Sequence, residues 1–365
     1  MATGRIPIAV IGTGFGARIH VPGLRASGRF DVVALLGRDP ERTQREARHL
    51  HVPHALTSLD DVLALPDIAA VAVATPPDSH AAITVAAALA GKHVLCEQPM
   101  ARSLPEAERM LAAVQAAGVV GVVGFEHRFE PARAMLGRLL ERGDLGMPQL
   151  VTCITNTAAF VDPQQPPPAW LFDTVAGGGW LATSGSHMLD ALRTWLGEFH
   201  AVAALADTFL TAQQILGVDE PVHSDADDTF SVTFRMACGA QGILQQTSVA
   251  RGRRYLALRV AGSEATAWID ERGRLFRQGR EKDPCELGIP PELLLPQVPA
   301  PPDAGPFAAW ELPAFVRQAQ RFADLITTGH PALDPPPASF ADGVGCQRTL
   351  DAVREAARSG RWVTV

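Results

Sequence analysis

The chain has 365 residues, 47% of them hydrophobic, and carries 39 Asp+Glu against 32 Lys+Arg, a formal net charge of −7. That length buries a large core and suggests two domains, while the acidic balance without a basic block argues against nucleic-acid or anionic-membrane partners. Five scattered cysteines (Cys96, Cys153, Cys238, Cys285, Cys346), with no C-x-x-C and no Cys/His grouping, give no sign of a metal site or disulfide framework. Reduced thiols in a cytoplasm are expected. MATGRIP leaves no room for a signal peptide before the first strand, and no uninterrupted apolar run reaches spanning length.

Ile6, Ile8, Ala9, Val10 and Ile11 predict a strand buried on both faces, broken by Gly12 and Gly14, with a helix to about Ser27. The turn residues Gly12, Thr13, Gly14, Phe15, Gly16 and Ala17 spell G-x-G-x-x-A. In that pattern the glycines allow a tight turn and a close phosphate, and the third position packs helix on strand. The helix then points unpaired N–H groups at whatever lies over the turn. Phe30–Leu36 reads as a second strand and Asp39-Pro40 opens a helix to about Leu50. Gly37 stands where a carboxylate usually holds the adenosine ribose, and Arg38 follows it, a pairing that favours NADP(H) over NAD(H). The other reading leaves Arg38 in solvent and gives the ribose to Asp39.

Ala69–Thr75 is another apolar strand, ending in Pro76-Pro77, with a helix from about Ser79 to Ala90 that starts beside His80. His93–Glu97 is next, followed by Gln98-Pro99. Ser103 to Glu106 reads as a capping box for a helix to Ala117, and Val119–Phe125 is one more strand. Alternating strands and helices mean a doubly wound parallel sheet, whose ligand crevice lies at the carboxyl ends of the strands. Gly12–His20, Gly37-Arg38, Thr75–His80 and Glu97–Pro99 all fall there.

After about Glu126 the texture changes. Pro131–Gly143 predicts an amphipathic helix, and Thr229–Phe234, Gly242–Val249 and Tyr255–Val260 predict short strands of an antiparallel or mixed sheet. Nine of the 29 prolines lie from Pro284 to Pro313, which reads as an irregular excursion before a closing helix at about Ala314–Thr328. A PQQPPP run spans Pro163–Pro168.

The ordered segments GTGFGARIH (Gly12–His20), ATPPDSH (Ala74–His80), GKHVLCEQPMA (Gly91–Ala101), GFEHRFEP (Gly124–Pro131), GGGWLATSGSHMLD (Gly177–Asp190) and SGRWVTV (Ser359–Val365) strongly resemble the glucose–fructose oxidoreductase / inositol dehydrogenase / MocA family. The resemblance implies an α/β chain with an N-terminal Rossmann domain (residues 1–125) and a C-terminal α+β domain (126–365). The latter carries a large open-faced, mostly antiparallel sheet through which members form homodimers or homotetramers. It also implies hydride exchange between NAD(P) and a hydroxyl or carbonyl carbon of a sugar, an inositol or a related small molecule.

Two positions depart from the family pattern. Gln98 replaces a lysine that steadies the reacting oxygen in typical members, and Thr183 replaces an aspartate; His187 is retained. Hence His187 is the expected sole acid–base, titrating near about 6.5, with Gln98 and Thr183 as positioning groups. Its alternative is a capping or packing role. Glu126, His127, Trp170, Thr183, His187 and Gln98 are the expected substrate-binding set. Thr75, Pro76, Pro77, His80, Glu97 and Gln98 join the glycine turn and Gly37-Arg38 at the cofactor. His80 and His20 serve equally well as structural residues, and Trp170 and Trp180 as buried anchors. Arg128 and Asp227-Asp228 read as structural. A redox-neutral enzyme with bound NAD(P), or a non-enzymatic dinucleotide-binding regulator, stands beside the dehydrogenase reading.

Overall fold

Alternating apolar strands and amphipathic helices close into two compact units, described by a computed structural model over residues 4–162, 167–210, 224–280, 282–299, 308–330 and 334–365. The first unit holds residues 1–129 and 295–344, the second 130–294 and 345–365.

In the first unit, β1 (Ile6–Ile11), β2 (Phe30–Leu36), β3 (His54–Leu56), β4 (Ala70–Val73), β5 (His93–Cys96) and β6 (Gly121–Val123) pair in parallel in the order β3-β2-β1-β4-β5-β6. A two-residue strand, Ala338–Ser339, adds antiparallel to β6. The helices are α1 (Val21–Ala26), α2 (Pro40–His49), α3 (Leu59–Leu63), α4 (His80–Leu89) and α5 (Leu104–Ala117). β1 and β4 are buried along almost their whole length because helices cover both faces of a parallel sheet. The strand order reverses between β1 and β4, and ligands of such sheets bind beyond the carboxyl ends at that point.

The first unit is not continuous in sequence. The helix Ala308–Thr328 places Leu312, Phe315, Ala319, Phe322 and Ala323 in one core with Ile8, Val10, Leu24 and Phe30, and Phe322 stacks on Phe30 at 5.7 Å between centroids. A division at residue 125 therefore differs from the packing, since residues 295–344 return to the first unit. The proline-rich excursion also ends earlier than its composition suggests. Helix begins at Ala308, with Pro313 inside it. Residues 300–307, and most of the PQQPPP run, lie outside the described residues.

The second unit contains α6 (Pro131–Glu141), α7 (Ser186–Leu196) and a nine-stranded sheet among the described residues. Its strands are β7 (Pro148–Asn156), β8 (Phe199–Asp207), β9 (Thr229–Met236), β10 (Gln241–Thr247), β11 (Tyr255–Gly262), β12 (Ala265–Ile269), β13 (Leu275–Gly279) and β14 (Cys285–Glu286), with Val363–Thr364 at one edge. The order is β14-β13-β12-β11-β7-β10-β9-β8 and then Val363–Thr364; only β7 and β10 pair in parallel. Register separates the faces. Leu275, Ile269, Leu258, Cys153, Leu244 and Val232 form one row and are all buried. The adjacent row, Phe276, Trp268, Arg259, Thr152, Ile243, Thr233 and Ala203, is at least partly exposed throughout. This is the open face that a period of two produces.

Within the first half, one cap differs from expectation. Ser103 precedes α5 without a side-chain capping bond, and Glu106 instead accepts from the Arg102 backbone N–H (3.1 Å) while pairing with its guanidinium. The 20-residue helix Phe340–Ser359 has no counterpart in the sequence reading. Its glycines hide it: a Cβ on Gly343 would lie 2.5 Å from Met100 Sδ, and one on Gly345 would collide with the Arg193 guanidinium. Close packing, not turn formation, requires them.

Candidate functional site

In the first unit the glycine turn is a product of crowding on one side and space on the other. Gly12 sits at φ +126°, and a Cβ there would collide with the Ala74 carbonyl oxygen at the end of β4. A Cβ on Gly14 would meet nothing within 4 Å. Tightness in the helix–strand packing falls on Gly16, where a Cβ would lie 2.9 Å from Val10 Cγ1, one residue before the expected Ala17. Ala17 is itself buried. The chain leaves the turn as a π-helical turn, Gly16–His20, before α1. Thr13 and Phe15 are half-buried beside it.

At the end of β2, Gly37 has no room for a carboxylate. A Cβ would lie 2.5 Å from Thr13 Cγ2 and would also collide with Thr43 Oγ1. Arg38 is exposed, and Asp39 caps α2 by accepting from the Arg42 N–H at 3.0 Å. Arg42 reaches back to the Thr13 carbonyl (3.2 Å), so a second guanidinium flanks the turn.

Beyond β4 and β5 lie Thr75, Pro76, Pro77, Glu97, Gln98 and Pro99. Ser79 Oγ donates to Thr75 Oγ1 (2.7 Å), and the Gln98–Pro99 peptide is cis. His80, expected at the cofactor, is fully buried, with Nδ1 3.1 Å from Pro99 O and Nε2 2.8 Å from Thr75 O. Both neighbours only accept, and burial pushes its pKa down against the pull of the Thr75 carbonyl and the Glu97 charge. It ties two loops together. Glu97, also expected at the cofactor, is likewise turned inward: Oε1 lies 2.8 Å from His20 Nε2 and Oε2 accepts from the Gln98 N–H at 3.2 Å. Gln98 is half-buried.

After β6, Glu126 is buried, its Oε1 3.7 Å from His127 Nε2, and the His127 ring meets Trp310 edge-on at 4.7 Å. Arg128 pairs with Asp342 at 3.6 Å, a structural role as expected. Glu311, one residue beyond Trp310, was not singled out by sequence. Burial, with the Glu97 charge adding to it, pushes its pKa up to about 8 against the pull of Arg18. No pattern in the proline-rich stretch before it signals a buried acid.

In the second unit the three-glycine segment is a packed loop. A Cβ on Gly178 would collide with the Trp170 carbonyl oxygen. Gly179, at φ +107°, leaves room for the Asp227 carboxylate. Asp227 Oδ2 accepts from the Leu181 N–H (2.7 Å) and its carbonyl from the Trp180 N–H (2.7 Å). Burial raises the Asp227 carboxyl to about 6. The Asp227-Asp228 pair thus anchors loops, since Asp228 Oδ2 also accepts from the Phe209 and Leu210 N–H groups. Trp180 packs edge-on to Phe160 at 5.3 Å, an anchor; Trp170 is half-buried in the turn Ala169–Phe172.

A second π-helical turn, Leu181–Gly185, carries Thr183 into α7, where His187 lies in the first turn. The Thr183 hydroxyl donates to the Gly179 carbonyl at 2.8 Å, so toward any ligand it acts as an acceptor. His187 is 7% exposed, and burial together with the nearby Arg133 charge pushes its pKa down to about 3. The expected titration near 6.5 is corrected: desolvation disfavours the imidazolium, and Arg133, itself 2.6 Å from Glu130, adds positive charge nearby.

Comparison with known proteins agrees with this geometry. Residues 6–125 match the oxidoreductase family with an NAD-binding Rossmann fold, and residues 134–268 match the GFO/IDH/MocA C-terminal domain. The chain is 29% identical to levoglucosan dehydrogenase of Pseudarthrobacter phenanthrenivorans over 98% of its own length and 97% of the relative's. An uncharacterised oxidoreductase of Synechocystis is 28% identical over 99% and 96%. A solved levoglucosan dehydrogenase in complex with NADH and levoglucosan superposes with a TM-score of 0.84 at 28% identity, covering 99% of this chain and all of that one. The chain is a member of the GFO/IDH/MocA family of oxidoreductases, built on an NAD-binding Rossmann domain.

Proposed function

We propose that the protein is an NADP(H)-preferring dehydrogenase that oxidises a hydroxyl carbon of a small sugar-like substrate. The observation that carries the reading is the open space over Gly14, set at the strand-order reversal between β1 and β4. A dinucleotide fits there: Gly12 and Gly14 keep Cβ atoms away from a pyrophosphate, and the Thr75–Pro77 and Glu97–Pro99 loops stand beside them. When bound, the nicotinamide supplies the hydride acceptor. The sugar class comes from levoglucosan dehydrogenase, whose solved complex holds NADH and levoglucosan.

His187 is the proposed base. Burial keeps the ring neutral in the working range, so the form that accepts a hydroxyl proton is populated. That comes at the cost of basicity, since a base works best with a pKa near the operating pH. Gln98 is the proposed hydrogen-bond donor toward the substrate, and Thr183, its hydroxyl proton given to the Gly179 carbonyl, a proposed acceptor. Glu126, His127 and Trp170 complete the proposed binding set. Gly37 and the guanidiniums of Arg38 and Arg42 support a 2′-phosphate, because Gly37 itself carries no acid and Asp39 is engaged in capping α2 through the Arg42 N–H. We further propose that the open sheet face joins copies of the chain into dimers or tetramers. Leu150, Leu205, Ile243 and Tyr255 are exposed on this sheet, where Arg259 stacks on Trp268 and Trp268 on Phe276.

Gly14→Val is expected to fold, since nothing in the protein lies within 4 Å of an added Cβ, yet to lose NADP(H) affinity by roughly a hundredfold, about 2.7 kcal/mol. Fluorescence titration with a parallel melting curve separates the two, and unchanged affinity in the folded variant overturns the cofactor site. Arg38→Ala should weaken NADP(H) by roughly ten- to a hundredfold, the worth of a charge-assisted hydrogen bond, and leave NAD(H) unchanged. Equal binding of both cofactors by the unmutated protein would sink the preference.

For His187→Ala, turnover should fall by roughly two to four orders of magnitude with cofactor affinity retained. The sign of the pH dependence follows from its lowered pKa: the base form is lost only as pH drops toward about 3. Oxidation should then show no His187-dependent step from about pH 5 to 8. A step near 6.5 that vanishes in His187→Ala would contradict the assignment. A folded protein that binds cofactor but turns over none of a panel of polyols, sugars, lactones and ketones would favour the redox-neutral or regulatory reading instead. Light scattering tests the sheet: the unmutated protein should be at least dimeric and Ile243→Glu should shift it toward monomer, whereas a monomeric unmutated protein removes the proposal.

A further inference from the structure

Gln98 sits on a turn whose backbone is held from behind at several points, all within the first unit. The Gln98 N–H donates to Glu97 Oε2 at 3.2 Å, and Glu97 Oε1 lies 2.8 Å from His20 Nε2. One residue later, Pro99 O lies 3.1 Å from His80 Nδ1, while His80 Nε2 lies 2.8 Å from Thr75 O at the end of the neighbouring strand. Both histidines are completely enclosed. His20 is itself fixed by Phe315 at 4.4 Å and Phe15 at 5.6 Å between ring centroids. Gly124 leaves the space that the Glu97 carboxylate fills, since a Cβ there would lie 2.8 Å from either oxygen.

Burying a carboxylate and two imidazoles is costly, and each of the three is engaged with the protein itself: Glu97 with His20 and the Gln98 N–H, His80 beside the Thr75 and Pro99 carbonyls. What they share is one turn. We propose that His20 and His80 are positioning residues for the reaction: through Glu97 and the Pro99 carbonyl they fix where Gln98 presents its amide. The need is specific to this chain's chemistry. A lysine ammonium acts on a nearby oxygen as a point charge whose pull depends weakly on direction. The Gln98 amide acts only through a hydrogen bond, which weakens steeply as distance and angle depart from ideal. A neutral donor therefore requires a more rigid mount than a charged one. This inference rests on the proposal that Gln98 faces the reacting oxygen, but the mount itself is testable without turnover.

The test compares His20→Leu, which removes the ring donor, with His20→Gln, whose amide reaches a similar point, and with Glu97→Gln, which keeps the carboxylate's shape. Hydrogen exchange of the Gln98 amide is followed in the full-length protein. It should speed up by roughly tenfold or more in His20→Leu and Glu97→Gln, return to within roughly threefold in His20→Gln, and leave the β4 and β5 core amides unchanged. On a substrate that the protein oxidises, His20→Leu should lower kcat by roughly ten- to a hundredfold while KM for NADP(H) stays within about twofold, with His20→Gln restoring kcat. His80→Leu should have the same kinetic signature. Should His20→Leu fail to fold, Glu97→Gln carries the exchange test. Unchanged Gln98 exchange in the folded variants, or a kcat loss that His20→Gln does not repair, overturns the proposal. If no substrate is turned over at all, the dehydrogenase reading fails by itself while the exchange result still decides whether the mount exists.

Discussion

Residue 12 can carry no side chain, and much of the first unit follows from that. The carbonyl of Ala74 occupies the place where a Cβ would stand, so the ends of β1 and β4 approach each other backbone to backbone. That approach is what a strand order reversing at β1 makes possible, because α1 and α4 leave their strands toward opposite faces and nothing needs to fill the gap between them. The same crowding selects small residues at Gly16 and Gly37. Space is left open only at Gly14. The turn is thus specific in both senses: tight where the protein packs, empty where a phosphate would lie.

The first half was legible because its signals are local. Apolar runs of four to seven residues, Asp39-Pro40 at a helix start and Gly118 past a helix end each act within a few positions. The doubly wound parallel sheet and the glycine turn followed from them. What sequence could not show depends on distant partners. Nothing about His80 in the chain distinguishes a ring that faces a cofactor from one that bridges Thr75 O and Pro99 O. Phe315 and Phe322 look like part of a C-terminal domain until they are seen packed on Leu24 and Phe30. Long helices containing Gly343 and Gly345, or Pro313, defeat propensity because tertiary packing selected those residues.

Electrostatically, the candidate site residues have shed charge. Gln98 and Thr183 are neutral side chains, and His187 is held neutral by burial and by Arg133. The remaining acids face inward: Glu97 onto His20, Asp227 onto the Leu181 N–H. Such groups orient backbone rather than exchange protons with a ligand.

The return of residues 295–344 to the first unit also governs how the chain can be made. A ribosome releases β1 to β6 early, but the core around Phe30 stays open until Phe315 and Phe322 emerge, and the edge of β6 stays bare until Ala338–Ser339 arrives. The nascent sheet must wait through synthesis of residues 130–294, which carry eight of the nine strands of the second sheet, at about 5–20 residues per second, with apolar surface exposed. Packing of Phe30 against Phe322 closes a long loop, so the core of the first unit is completed only after Phe322 has been made.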